Sequence, residues 1–186
     1  MLDCYMALNV PYVIKLMHSL KGLGIKWVED CLQPDDYDGW KTIRERTRDT
    51  GILLTTGENE YLRFGYKKFL RDGSIDVLQP DVTWVGGVTE LRRVIAMASA
   101  YDIPVIPHSC TPYSIHFAAA YPNVPMVEYL NLSPKGDTIV PVFGSTFEAE
   151  PLPENGEISL PDTPGFGLTP NFKVLNLHRP YPRGDN

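Results

Sequence analysis

The sequence has no apolar run long enough to span a membrane, and no basic stretch followed by an apolar one opens it. A membrane partner is therefore not expected. Positive charge is short. Seventeen Lys and Arg against 23 Asp and Glu leave a net charge of -6, and no basic run offsets it. That balance argues against a nucleic-acid partner. Cysteine is scarce as well: Cys4, Cys31 and Cys110 cannot all pair and show no CxxC spacing. Reduced thiols in a cytoplasmic protein are the expectation, and no role is assigned to them. No Gly-rich phosphate loop follows the first strand-like run, which weakens a dinucleotide-binding reading.

What is present is alternation. Met1–Tyr5 reads as the end of a strand. Pro11–Leu23 has helical periodicity, with Val13, Ile14, Leu16, Met17 and Leu20 on one face and Gly22 and Gly24 as stops. Strand-like runs follow at Ile25–Cys31, Ile52–Thr56, Ile75–Leu78, Pro104–Pro107 and Pro125–Leu130. Helices are expected between them, over Tyr37–Thr50, Tyr61–Asp72, Val88–Tyr101 and Tyr113–Tyr121. Strand and helix repeating every 20 to 30 residues imply parallel strands covered by helices. The strands are short and nearly all apolar, as when both faces are buried. The chain is thus α/β, either an open doubly wound sheet or a barrel. After about Leu132 the pattern stops. Residues 133–186 are rich in Pro and Gly and lack a helix signal, with small strands suggested near Ile158–Leu160.

The strand-like runs end in titratable groups: Asp3, Glu29, Glu58, Asp81, His108 and Glu128. Their spacings are 26, 29, 23, 27 and 20 residues, one βα unit per step. In a parallel barrel such groups gather at the C-terminal rim, where the chemistry lies. A single carboxylate at a strand end is more often a loop cap, and a lone "PHS" is usually a loop histidine. The regular series is what raises the functional reading. Three carboxylates brought together repel unless a cation neutralises them, and oxygen-only ligation favours Mg²⁺, with Mn²⁺ as the alternative. Such an ion would bind a substrate carboxylate, His108 would move a proton, and Asp81 would hold the other imidazole nitrogen. His18 and His178 read as structural or exposed, and His116 as ambiguous. Asp30, Asp35 and Asp36 read as solvated loop acids.

Asp3, "WVEDC" with Glu29, "TTGEN" with Glu58, "LQPDVTWVGG" with Asp81 and "VIPHS" with His108 together resemble the enolase superfamily, in its mandelate racemase-like branch. The stretches "PHSCTPYSIHFAAAYPNVPMVEYL" and "PGFGLTPNF" are most similar to the L-rhamnonate dehydratase group of that branch. The resemblance implies a modified (β/α)₇β barrel of TIM type with an α+β capping domain. It implies metal ligands Asp3, Glu29 and Glu58, a His108–Asp81 dyad, and Glu128 bonding substrate from the last strand. The activity implied is Mg²⁺-dependent dehydration of an acid sugar to a 2-keto-3-deoxy acid, with His108 as base and then acid. The residue after the third ligand is often His in that group. Here it is Asn59, which hydrogen-bonds but transfers no proton.

The chain begins two residues before Asp3, so its six strands would be the last six of the family's eight. The expectation is a C-terminal fragment: a partial barrel over 1–132 and a segment over 133–186 that packs on barrel and cap, with the capping domain absent. A homo-oligomer is expected of the full-length form. Three alternatives stay open: a dehydratase or epimerase for another acid sugar, a fragment without catalytic competence, and an open-sheet binding protein.

Overall fold

A computed structural model of the chain describes residues 1–109 and 111–175. Cys110 and His178 lie outside the described residues. The elements in chain order are β1 (Leu2–Asp3), α1 (Val10–Leu20), β2 (Trp27–Glu29), α2 (Tyr37–Thr47), β3 (Leu53–Thr56), α3 (Leu62–Asp72), β4 (Val77–Leu78), α4 (Val88–Ser99), α5 (Thr111–Ala120) and a short α6 (Phe172–Leu175). The strands form one parallel sheet in the order β1-β2-β3-β4, with Asp3 opposite Glu29 and Glu29 opposite Thr55. This is the α/β alternation expected from the sequence.

Helix starts follow local chemistry. Asn9 accepts from the Tyr12 amide at 3.0 Å, and Asp36 from the Gly39 amide at 3.0 Å, each satisfying a donor that the helix itself leaves unpaired. The period of two then sorts the strands. Val28, Leu54 and Leu78 face the helices and join Trp40, Ile43, Tyr66 and Phe69 in the main core. Trp27, Val77 and Ile106 form a second cluster, with Leu53 packed against it, on the opposite face. Glu29, Gln79 and His108 stand two residues beyond Trp27, Val77 and Ile106. They therefore share that second face, above the apolar cluster.

Two expected strands are not regular strands. Pro104–Pro107 follows the β4 edge: Leu78 N donates to Pro104 O at 3.1 Å, Ile106 N to Leu78 O at 2.9 Å, and His108 N to Pro80 O at 3.1 Å. The ladder is cut to one bridge, Leu78 with Val105, because Pro80 has no N–H to return to Ile106. Pro125–Leu130 makes no ladder either; it is tied through Asn123 O, which accepts from Val105 N at 2.8 Å, and through Glu128. Among the described residues the sheet therefore has four strands where six were expected, in the open order β1-β2-β3-β4. Ile158–Leu160 is not a strand; among the described residues beyond 133 the pairing consists of isolated bridges, Phe147 with Pro170 and Glu154 with Glu157. That segment instead packs through aromatic rings, with Tyr113 of α5 meeting Phe143, Phe147 and Phe166 at 5.5, 6.3 and 4.8 Å.

Trp40 is fully buried and meets the Phe69 ring edge-on at 6.2 Å. Trp40→Ala should lower unfolding stability by about 3–5 kcal/mol through lost contacts and the cavity left behind. A urea titration would show this; an unchanged midpoint would contradict the packing described.

Candidate active site

His108 stands at the centre of the C-terminal rim. Its Nδ1 is 3.1 Å from Asp81 Oδ2, and its Nε2 is 3.1 Å from Glu58 Oε2 and 3.9 Å from Glu128 Oε2. The His108 side chain is 22% exposed. Burial alone would lower its pKa. The Asp81 hydrogen bond and the charges of Glu58 and Glu128 override that and hold it up at about 9. Asp81 is itself fixed, because its Oδ1 accepts from the Thr83 amide at 2.6 Å and the Thr83 hydroxyl at 2.7 Å. Glu128 Oε2 accepts from the Ser109 amide at 2.7 Å, and the Thr111 hydroxyl donates to Glu128 O at 2.7 Å. These bonds bring the sixth member of the series to the site without a strand beneath it.

The three carboxylates expected to hold a metal lie on the same rim, and each is met by an N–H. Asp3 Oδ1 accepts from the Tyr5 amide at 2.9 Å. Glu29 Oε2 accepts from the Trp27 indole at 2.9 Å. Glu58 Oε1 accepts from the Asn59 carboxamide at 3.0 Å. Glu58 reaches the rim because Gly57 turns the chain at φ +139°, where a Cβ would lie 3.1 Å from the Gln79 amide nitrogen. Burial raises the pKa of both Glu29 and Glu58, and the Asp3 charge adds to it. Gln79 and Trp27 oppose the rise at Glu29, as His108 and Asn59 do at Glu58. As the side chains stand, no group of three among the described residues closes tightly enough to hold a metal ion. Their chemistry fits one: three oxygen donors from neighbouring strand ends, Asp3 in register with Glu29 and Glu58 just past the end of β3.

Asp30 departs from expectation. It is 2% exposed, not solvated, and sits at φ +43° with Oδ1 accepting from the Thr56 hydroxyl at 2.6 Å. Burial, the charges of Glu58 and Asp3, and the opposing Thr56 bond leave its pKa raised to about 6. Asp36 is an exposed helix cap, as its loop position suggested. His116 does not join the rim; its Nε2 donates to Phe166 O at 3.1 Å, tying α5 to the C-terminal segment. His18 donates to Arg46 O on the outer surface. Sequence reasoning missed Trp27 and gave Asn59 no positive role. The signal for Trp27 was its place two residues before Glu29, on the same strand face.

A cavity of about 490 Å³ borders this rim through Thr83, lined mainly by Val82, Tyr113, Phe147, Phe166 and Leu168. It is apolar, and the titratable groups lie outside it.

A parallel α/β sheet carrying acids and one acid-held histidine on its C-terminal rim is the arrangement in which α/β barrels place their functional groups. The chain belongs to the enolase C-terminal domain-like family, which matches residues 1–174. It is 43% identical over 181 residues to an L-rhamnonate dehydratase from Saccharopolyspora erythraea, covering 97% of this chain and 46% of that protein. It is 48% identical to the crystal structure of L-rhamnonate dehydratase from Gibberella zeae, at a TM-score of 0.86, over 91% of this chain and 43% of that one. A Gibberella zeae rhamnonate dehydratase structure complexed with Mg is 46% identical, at a TM-score of 0.84, over 94% of this chain and 43% of that one. The chain thus spans about half the length of the relatives it matches. No helix among the described residues is long and apolar enough to cross a membrane.

A raised His108 pKa means that the folded protein holds this proton more tightly than the unfolded chain, where histidine titrates near ~6.5. The linked stability is fully present below about pH 6.5 and is lost as pH rises through about 9. In metal-free buffer, the stability gap between wild type and His108→Gln should therefore narrow across that window in urea melts. A gap independent of pH would refute the charged-imidazole arrangement.

Proposed function

We propose that this chain is the barrel part of a Mg²⁺-dependent acid-sugar dehydratase of the L-rhamnonate type. The observation that carries the reading is the Asp81–His108–Glu58 line, with 3.1 Å on each side of the imidazole. Asp81 fixes the ring and its tautomer through Nδ1, which leaves Nε2 facing the site. In its neutral form, His108 Nε2 takes the proton from C2 of the acid sugar and then, as imidazolium, gives it to the departing C3 hydroxyl, which leaves as water. Glu128, 3.9 Å from His108 Nε2, bonds substrate. Asp3, Glu29 and Glu58 would hold the cation. When bound, Mg²⁺ supplies a Lewis acid that spreads the charge developing on the substrate carboxylate. Support for the ion comes from the donor set and from the relative that was solved complexed with Mg.

The finer architecture follows the same reading. Residues 1–132 form part of a (β/α)₇β barrel. Residues 133–186 are a separate segment, and its anchoring by Phe143, Phe147 and Phe166 on Tyr113 and His116 favours that division. The substrate partner is an acid sugar, and the full-length form is a cytoplasmic homo-oligomer.

The test is keto-acid release from L-rhamnonate and a panel of other sugar acids in the presence of Mg²⁺. His108→Asn should cost about 10²–10⁴-fold in rate with Mg²⁺ binding kept. Product at the wild-type rate from the variant, or none from wild type with any sugar acid, would defeat the proposal. Saturating Mg²⁺, at about 100 times its Kd, should raise wild-type stability by about 2.7 kcal/mol. A thermal midpoint unmoved by Mg²⁺ would count against a cation site.

A further inference from the structure

The three carboxylates assigned to the cation share a feature that their assignment does not require. Each accepts an N–H from a nearby residue: Asp3 Oδ1 from the Tyr5 amide, Glu29 Oε2 from the Trp27 indole, and Glu58 Oε1 from the Asn59 carboxamide, with Gln79 also bonding Glu29 and His108 beside Glu58 Oε2. The donors are of three different kinds and come from three different strand ends. We infer that Trp27 and Asn59 are positioning residues that hold Glu29 and Glu58 in fixed orientations toward a divalent cation. This rests on the metal-site reading above and deepens it.

The physical argument concerns denticity and rotamer freedom. A glutamate in an open site turns freely about its terminal torsion and can clamp an ion with both oxygens. A small hard cation such as Mg²⁺ or Mn²⁺ prefers octahedral geometry, with single oxygens and room left for substrate and water. Trp27 is 5% exposed and packs with Val77 and Ile106, so its indole N–H is a fixed point. Trp27 and Glu29 stand two apart on one strand, so the bond spans a short, rigid path. Asn59 is held in turn. Its carbonyl oxygen accepts from the exposed Trp84 indole at 3.3 Å, and its carboxamide also meets Met6 Sδ at 3.5 Å. The oxygen of Glu58 that Asn59 does not take, Oε2, faces His108. Donors of this kind, behind metal ligands, commonly govern affinity by 10–100-fold.

The experiment is Mn²⁺ titration of the full chain followed by electron paramagnetic resonance of the free ion, with wild type, Trp27→Phe and Asn59→Leu. Both substitutions keep most of the side-chain volume and remove the donor. The expected result is a Kd for Mn²⁺ about 10–100-fold weaker in each variant, with thermal midpoints in metal-free buffer close to wild type. Wild-type Mn²⁺ affinity in both variants would overturn the inference and leave the metal site standing. A lowered metal-free midpoint with unchanged Mn²⁺ affinity would overturn it too, as the mark of a purely structural role. No Mn²⁺ binding by wild type would overturn the metal-site reading itself, and this inference with it.

Discussion

One imidazole lies between acids on opposite sides, and the rim is arranged around it. His108 meets Asp81 through Nδ1 and Glu58 through Nε2, with Glu128 slightly farther off. Burial works against a charged ring, and the acids outweigh it. The contact matters because it involves both ring nitrogens. A histidine held at one nitrogen keeps rotational freedom; held at both, it is fixed in plane and direction. Its proton is then directed at one neighbour and available to a group placed between them.

The backbone below that contact is built to deliver it. Asp3 and Glu29 are Cα partners across β1 and β2, and Glu29 and Thr55 across β2 and β3. Register of this kind puts acids from separate strands at one height. Gly57 then lets the chain cross close over Gln79, bringing Glu58 in beside His108. Pro80 interrupts the last parallel ladder just below His108. The His108 amide still donates to Pro80 O, so the histidine keeps its height although regular pairing has stopped. Loss of strand character near the rim is therefore compatible with accurate placement, because one backbone bond on the critical residue is kept.

The sequence revealed much of this and missed some of it, for definable reasons. Helices such as α4, with Leu91, Val94, Ile95 and Ala98 all fully buried, were legible because one apolar stripe carries the whole signal. The gathering of His108, Asp81, Glu58 and Glu128 was legible because titratable ends recurred at βα spacing. The strand status of Pro104–Pro107 and Pro125–Leu130 was not. Apolar composition speaks for burial, while pairing depends on donors that proline removes. Asp30 was misread as solvated because composition places acids in loops; a bond from Thr56, twenty-six residues away, buries it instead. Trp27 lies in the strand expected over Ile25–Cys31 and is buried, but its indole N–H also donates to Glu29, which apolar patterning does not reveal.

The distribution of charge on the rim is one-sided. His108 is a single positive group set among Asp81, Glu58 and Glu128, and it neutralises at most one of them. Asp3, Glu29 and Asp30 stand near the same centre, and Asp30 has its pKa raised to about 6, first by burial and then by Glu58 and Asp3. Neutral donors reduce this repulsion without cancelling it: Tyr5, Trp27, Thr56 and Asn59 each give one N–H or O–H to a separate acid. Hydrogen bonds can hold an anion in place, but they add no opposite charge. A rim so arranged keeps a net negative field at the mouth of the sheet. The lowest-energy response to that field is to take up either protons or a hard divalent ion. On the metal-site reading proposed above, the carboxylates held by N–H donors would be met by the ion.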